Sequence, residues 1–481
     1  EEFGDKTALM ALTLYAFSPT ILAHGRFITT DVGAAAGIFI SLYYFVRFLR
    51  DKTPKTFAFA SLFFGFAILA KFSTFLLIPF LGLLALLYGY VKSDANFKTR
   101  IWESFKHGVA SVLIMTAGFI FVVGPVYQYH VWNYPPERQK ADTQTTLTSY
   151  GNRLLADSVI WMADKPVIRA FGQYAYGFLM VTQRATGGNT TYYMGEVSAA
   201  GWKSYFPVVY LIKEPLAKHL MILIALYGFF KLFIANTRKR REEPSMFTAL
   251  NHWAKNNIHE VAMLGFIAFY WLVTMRSNLN IGVRHIIPTF PLVYVLISAE
   301  INKWAVLKNE IIDPTKIPFS AVKNVITSHM RMFSRYALIT VLLLWYALST
   351  VFVFPSFLAY FNEFAGGPQN GHNWVVDSNL DWGQDLKRLA QFADKNHIDK
   401  IGVDYFGGGS PSYFLGDKFE SWSSSKGPYK GYYAVSATFL QNAQGNPAPG
   451  FTIKPEETYS WLKGKQPIAT IGYSIFVYKL D

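Results

Sequence analysis

Nine apolar segments, each close to the length of a bilayer crossing, constrain this chain more than any motif does. They run at approximately 7–25, 32–49, 56–70, 75–92, 109–132, 215–235, 261–275, 283–301 and 335–354. A helix needs about 20 mostly apolar residues to cross the hydrocarbon layer. In lipid its backbone polar groups must find partners within the segment, which makes the α-helix the unit. The reading is a polytopic α-helical membrane protein with about nine transmembrane helices. Composition agrees, since 16% of the 481 residues are charged, 52% are hydrophobic and 17% are aromatic, with a mean hydropathy of +0.20. Soluble domains carry about 25% charged residues, so disorder and coiled coil are excluded. Without cysteine there is no disulfide, thiolate nucleophile or thiolate metal ligand.

The net charge of +14 is explained by where the cations lie. The connections after the second, fourth, sixth and eighth segments hold Arg50, Lys52 and Lys55; Lys92, Lys98, Arg100 and Lys106; Arg238, Lys239, Arg240 and Arg241; and Lys303, Lys308, Lys316, Lys323, Arg331 and Arg335. The positive-inside rule puts these loops in the cytoplasm, and no nucleic-acid partner is needed to account for them. The outer face then carries the short link Arg26–Asp31, the turn near Lys71, a long loop at about 133–214, the link Arg276–Gly282 and everything after about 355. The chain divides into a transmembrane part, 1–354, and a C-terminal extracytoplasmic part, 355–481.

That last part is polar and rich in Gly and Ser. Asp381–Lys395 has the spacing of an amphipathic helix, with Leu386, Leu389, Ala390 and Phe392 on its apolar side. Lys400–Phe406, Tyr432–Phe439 and Ile468–Lys479 read as strands, and Gly407-Gly408-Gly409 and Asn446-Pro447 as turns or loops. The expectation is a small α/β domain.

Ionisable residues at the ends of apolar spans are costly unless they are used or paired. Asp31 follows Thr29-Thr30 at an outer end, where a carboxylate can orient a hydroxyl, take a proton or hold a metal; it can equally cap a helix starting at Val32. Lys71 interrupts the apolar run Leu69-Ala70-Lys71-Phe72-Ser73, and Arg284-His285 opens a span before Pro288. Such cations suit a phosphate, Arg bidentately, and the plain alternative is snorkelling to the headgroups. In the long loop, Tyr205 and its aromatic neighbours fit an interfacial belt or a sugar platform, with Glu196 and Lys213 to bind hydroxyls or phosphate. Asp377–Asp385 alternates oxygen ligands, but it lacks the Gly and closing Glu of an EF-hand loop. Capping and anchoring is the better reading there. No zincin, P-loop or dinucleotide fingerprint is present.

Taken in order, His24-Gly25-Arg26-Phe27-Ile28-Thr29-Thr30-Asp31, Leu69-Ala70-Lys71-Phe72-Ser73, Gly201-Trp202 to Tyr205-Phe206-Pro207 with Lys213 and Pro215, Gly282-Val283-Arg284-His285 with Pro288, and Tyr360-Phe361-Asn362-Glu363 followed by Asp377–Asp385 form an ordered set. This set resembles the bacterial protein-mannosyltransferase-like glycosyltransferases of glycosyltransferase family 39, which have the GT-C fold. The resemblance spans essentially the whole chain. It implies an enzyme of the bacterial inner or plasma membrane that moves mannose or another hexose from a polyprenyl-phosphate-linked donor to an acceptor hydroxyl on the outer face, with inversion. The acceptor would be a protein, a lipid or a glycan. By position, Asp31 matches the family's acidic residue of the second outer loop. Arg26 lies in the same motif, and Lys71, Arg284 and His285 match cations near the lipid phosphate. No cofactor is called for, although a divalent metal is compatible with the chemistry.

Family members begin with a further span, a large outer loop bearing the catalytic base, and a second span. Glu2-Phe3-Gly4-Asp5-Lys6 resembles the turn just before the family's third span, so the resemblance implies that this base lies outside the sequence and that the chain as written is inactive without it. The alternative to an enzyme is a transporter or flippase of an amphiphilic solute, which should place its polar residues near mid-membrane on broken helices. An assembly factor would leave the membrane-edge carboxylate and cations unexplained.

Overall fold

A computed structural model of the chain describes residues 2–93, 96–239, 246–306 and 319–481. Arg240, Arg241, Lys308 and Lys316 of the basic connections lie outside the described residues.

Each of the nine apolar segments falls on a helix. The first is a pair, α1 (Asp5–Ala16) and α2 (Pro19–Arg26), bent by 60°. The bend follows from Pro19, which has no N–H to continue α1, and from Ser18, whose hydroxyl accepts the Ile21 N–H at 3.3 Å and starts a new helix. Then come α3 (Thr30–Arg50), α4 (Pro54–Ala70), α5 (Leu77–Lys92), α6 (Phe97–Gly118) and, after a π turn at Phe119–Val123, α7 (Gly124–His130). Thr53 and Thr56 form a capping box ahead of α4. Helices α4 and α6 nearly touch, since a Cβ on Gly65 would lie 2.8 Å from the Gly118 carbonyl oxygen.

The long connection at about 133–214 contains α8 (Pro136–Thr146), α9 (Arg153–Met162), α10 (Ile168–Gly187), the hairpin of β1 (Thr191–Tyr193) and β2 (Glu196–Ser198), and α11 (Tyr205–Lys213). Next are α12 (Leu216–Lys239), α13 (Met246–Asn256), α14 (Ile258–Thr274), α15 (Phe290–Ala305), which a 3₁₀ turn at Val283–Thr289 precedes, and α16 (Phe319–Val351).

Among the described residues, six helical stretches are long and apolar enough to cross a membrane, seven if the bent α1–α2 pair counts as one span. Helices α4 and α14 are apolar but shorter, at 17 residues each, so the count of nine rests on them. Large apolar side chains such as Leu83 and Leu87 on α5, Phe121 after α6, Phe230 on α12 and Phe352 beyond α16 are exposed. Contiguous apolar surface of this kind on long helices is what lipid covers.

After α16 the chain forms α17 (Leu386–Lys395), β3 (Ile401–Asp404), α18 (Pro411–Leu415), β4 (Phe419–Ser421), β5 (Gly431–Ser436), α19 (Ala437–Gln444), β6 (Asn446–Pro447), β7 (Ala469–Ile471) and β8 (Ile475–Leu480). One sheet has the order β4-β3-β5-β8-β7, with β3 parallel to β4 and β5, and β8 antiparallel to its neighbours.

Several expected boundaries move. The helix begins at Leu386 rather than Asp381, because the Asp381 carboxylate accepts the Thr438 N–H at 3.1 Å and the Gly383 N–H at 3.4 Å, which holds this stretch as a turn. The strand expected at Tyr432–Phe439 stops at Ser436, whose hydroxyl accepts the Phe406 N–H at 3.0 Å as α19 starts. Ile468–Lys479 divides into β7 and β8. Asn446-Pro447 is not a turn: it pairs in parallel with Glu196-Val197 of the outer loop and gives a sheet ordered β1-β2-β6.

The largest apolar core crosses the sequence boundary near 355. It joins Leu14 of α1, Phe206 and Val209 of α11, Phe290 and Tyr294 of α15 and Tyr346 of α16 to Phe361, Tyr433 and Phe476 of the tail. A second core fills the space among α3, α4, α5 and α14 with Phe45, Phe64, Leu81 and Phe266. A third lies between α17 and the five-stranded sheet.

Candidate active site

At one end of α3, four elements converge. Asp31 sits in the first turn of α3, which starts at Thr30 and not at Val32, so it does not cap the helix from outside. The residue before the helix, Thr29, turns its hydroxyl to the His24 carbonyl at 3.2 Å. The Asp31 side chain is 1% exposed and forms an ion pair with the Lys71 ammonium through Oδ1. Its Oδ2 lies 4.0 Å from Arg284 Nη1 and has no hydrogen-bond partner among the described residues. A buried carboxylate is tolerated in such a place when cations face it.

Lys71 gets there because α4 stops one residue earlier. Its backbone is extended, and the Thr74 hydroxyl donates to the Ala67 and Lys71 carbonyls at 2.7 and 2.6 Å. These bonds satisfy carbonyls that the helix end leaves open, and an ammonium at a helix C-terminus also meets the favourable end of the dipole. Arg284 and His285 stand on the 3₁₀ turn before α15. The tail fixes that turn: Asn379 Oδ1 accepts the Val283 N–H at 2.9 Å and the Ser378 hydroxyl donates to the Ile281 carbonyl at 2.5 Å.

From the tail, Trp382 reaches over this group. The Arg284 guanidinium lies 4.7 Å from its ring centroid, and His24 and Phe27 meet the ring edge-on at 5.9 and 6.0 Å. His24 Nδ1, Arg284 Nε and His285 Nε2 are buried without a hydrogen-bond partner among the described residues. Unsatisfied buried polar atoms are rare, and here several surround one carboxylate.

A cavity of about 650 Å³ opens beside the group. Lys71, Ser73 and His285 line one part of it, and Leu69, Phe75, Leu76, Phe178 and Val181 line much of the rest. Cations next to an apolar cavity suit an amphiphile with an anionic head and a hydrocarbon tail.

Four residues singled out from the sequence stand elsewhere. Lys213 is buried, with its ammonium on the carbonyls of Leu358, Tyr360 and Asn379 at 2.7, 2.5 and 2.6 Å and over the Phe361 ring at 4.3 Å. All three of its N–H donors are engaged, so none is left for a substrate. The expectation that it binds substrate gives way to an anchor between α11 and the tail. Tyr205 is 1% exposed, with its hydroxyl accepting from Asn379 Nδ2 at 2.9 Å, and offers no face to a sugar. Glu196 is exposed on β2 and accepts the Trp202 indole N–H at 3.2 Å. Arg26 is exposed and donates to the Pro355 carbonyl at 2.9 Å.

Sequence reasoning passed over Trp382 and His24. Trp382 belongs to a turn whose carboxylates looked like the informative part, and His24 has no local partner to mark it. Among the described residues no group of three or more His, Asp or Glu side chains is arranged to hold a metal ion.

The fold and site thus define a polytopic helical membrane protein in which Lys71 and His285 line an apolar cavity and Lys71 also pairs with a buried carboxylate. Residues 1–123 match a family model described as dolichyl-phosphate-mannose-protein mannosyltransferase. The matched segment includes Arg26, Asp31 and Lys71 and ends before Arg284 and His285. No curated protein and no solved structure matches the chain.

Proposed function

We propose that this protein transfers a glycosyl group, mannose or another hexose, from a polyprenyl-phosphate-linked donor to an acceptor hydroxyl at the extracytoplasmic face of a membrane. The observation that carries this reading is the buried Asp31–Lys71–Arg284 group at the edge of an apolar cavity of about 650 Å³. The family match over residues 1–123 supports the same chemistry. The prenyl chain takes the apolar walls, and the phosphate meets Lys71, Arg284 and His285.

The reaction in this reading is a single displacement with inversion. The acceptor oxygen forms a bond to the anomeric carbon while the bond from that carbon to the phosphate oxygen breaks, and its electron pair leaves with the phosphate. Lys71 and Arg284 stabilise the charge that develops on this leaving group. Asp31 Oδ2, which accepts no hydrogen bond among the described residues, orients the acceptor hydroxyl and receives its proton. A protein, a lipid or a glycan can each present such a hydroxyl. A divalent ion would find Asp31 as its one buried carboxylate here and would take the rest of its shell from phosphate and water.

The sidedness follows the basic connections. Arg50, Lys255 and Lys303 border one cavity and Asp31, Lys71 and Arg284 gather at the other end of α3, so a cytoplasmic location for the first group leaves the site and the tail outside.

The test is transfer of radiolabelled mannose from a polyprenyl-phosphate donor by the protein in liposomes. Asp31→Asn and Arg284→Ala should each lower the rate by about 100-fold, as expected for loss of proton transfer or of charge stabilisation. Unchanged transfer by both variants would defeat the site assignment. Solute flux without any transfer would favour a transporter.

A further inference from the structure

The turn at 377–385 controls Arg284 in two ways. It fixes the backbone on the N-terminal side of the arginine, because Ser378 bonds the Ile281 carbonyl and Asn379 takes the Val283 N–H. It then lays the Trp382 ring against the guanidinium at 4.7 Å.

The turn itself is tightly determined. The Trp382 N–H donates to Gln384 Oε1 at 2.8 Å, the Gln384 amide donates to the Leu380 carbonyl at 2.9 Å, and the Tyr405 hydroxyl donates to the Gly383 carbonyl at 2.7 Å. Gly383 has φ +76° with the Tyr405 hydroxyl packed where a Cβ would be, so only glycine fits. Together these bonds hold the Trp382 ring in one place.

The guanidinium carbon lies over that ring, and Asp31 is the carboxylate beside Nη1. What remains is the edge that carries Nε, an atom buried without a hydrogen-bond partner among the described residues. A guanidinium offers two parallel N–H groups to an anion only when its plane is correctly set, and stacking on an aromatic face sets that plane.

We propose that Trp382 is a positioning residue: it orients the Arg284 guanidinium so that its Nε edge meets an anionic oxygen, which makes the extracytoplasmic tail part of the membrane-edge site. This rests on the reading that the site receives a lipid-linked phosphate. Trp382 takes no part in bond making.

The experiment uses the full chain in detergent, with a polyprenyl phosphate as probe and phenylglyoxal modification of Arg284 read by mass spectrometry. Trp382→Phe keeps a flat ring, and Trp382→Met keeps apolar bulk without one. Modification of Arg284 should quicken about 10-fold in the Met variant and stay within about 3-fold of the native rate in the Phe variant, the contrast expected if stacking is what matters. In the transfer assay the Met variant should lower kcat/KM for the donor by about 10-fold with the acceptor KM nearly unchanged, the pattern of a weakened contact to the donor phosphate.

A double-mutant cycle approaches the contact from the other side and bears on it even if the Met variant is less stable. In an Arg284→Lys background there is no plane to orient, so Trp382→Met should cost no further donor affinity. Native reactivity of Arg284 in the Met variant, equal reactivity in the Phe and Met variants, or fully additive losses in the cycle would each overturn the proposal. If the polyprenyl phosphate fails to protect native Arg284 while the ring dependence holds, the positioning role stands and the donor reading falls.

Discussion

Lys71 and Lys213 are both lysines at the C-terminal ends of apolar helices, and what separates them is where their N–H groups point. Lys213 gives three to backbone carbonyls in a closed pocket, whereas Lys71 meets a carboxylate beside a cavity. Lys213→Met leaves buried carbonyls without donors, at about 1–3 kcal/mol for each. Thermal melts in detergent should show a fall large enough to destabilise the fold, and a Met variant that melts with the native protein would contradict the anchor. Lys71→Met should lower donor affinity by about 10- to 100-fold, the weight of a charge-assisted hydrogen bond to phosphate, and any fall in melting temperature should be recovered by adding Asp31→Asn, since the loss comes from the buried carboxylate left without its ion pair. Binding of a polyprenyl phosphate checks it. Asp31, Lys71, Arg284 and His285 stood out in the sequence because charge at the end of an apolar run is conspicuous, and the structure gathers them in one place. Lys213 was misread for the same reason, since its carbonyl partners come from residues far along the chain and leave no local mark.

Among the elements, the turn at 377–385 bears more of the structure than its length suggests. Its oxygen-rich sequence suggested a capping and anchoring role, but not that its carboxylates hold α17 back to Leu386 or that its tryptophan reaches Arg284. Neither can be read from periodicity, because both depend on contacts between distant segments. Burial pushes the Asp381 carboxyl from 3.8 up to about 7, against the pull of the Thr438 and Gly383 N–H groups, and pushes Asp377 up to about 6. The unfolded carboxyl loses its proton near 3.8 and the folded one near 7, so between those values the unfolded state binds fewer protons. Stability must then fall as pH rises through that window and level off above it. Melts from pH 4 to 8 should show the decline, and Asp381→Asn should remove most of it; a midpoint that climbs across this range would contradict the assignment.

A second polar element was not foreseen as a unit. Glu214 and Lys218 are fully buried one helical turn apart, 2.6 Å from each other, with the Thr20 hydroxyl donating to Glu214 at 2.6 Å. Tyr210 and Phe290 cover the ammonium at 4.4 and 4.6 Å. Removing one partner strands the other, so Lys218→Met should cost about 3–5 kcal/mol, and adding Glu214→Gln should restore a good part of it. A double variant no better than the single would show that the pair itself is not the source of the loss.

At the scale of the molecule, the apolar segments forecast where the helices lie, because hydropathy is a property of single residues and survives without tertiary information. The division near 355 is a different matter. The sequence changes composition there, yet the largest core runs through it, from Leu14 and Tyr346 to Tyr433 and Phe476, and β6 of the tail completes a sheet begun by the outer loop. Composition records solvent exposure and is blind to which surfaces meet. The tail and the helices should therefore unfold together, and limited proteolysis near 355 that released a folded tail would argue otherwise.

The central claim is that the cavity beside Asp31, Lys71 and Arg284 holds the hydrocarbon chain of a lipid phosphate. The most direct measurement is photo-crosslinking of a benzophenone-bearing polyprenyl phosphate to the protein in liposomes, with the labelled residues located by mass spectrometry. The account predicts crosslinks on Leu76, Phe178, Val181 and Tyr270 around the cavity, and their loss in Arg284→Ala. Crosslinks confined to the exposed apolar faces of α12 and α16, and unaffected by that substitution, would contradict it.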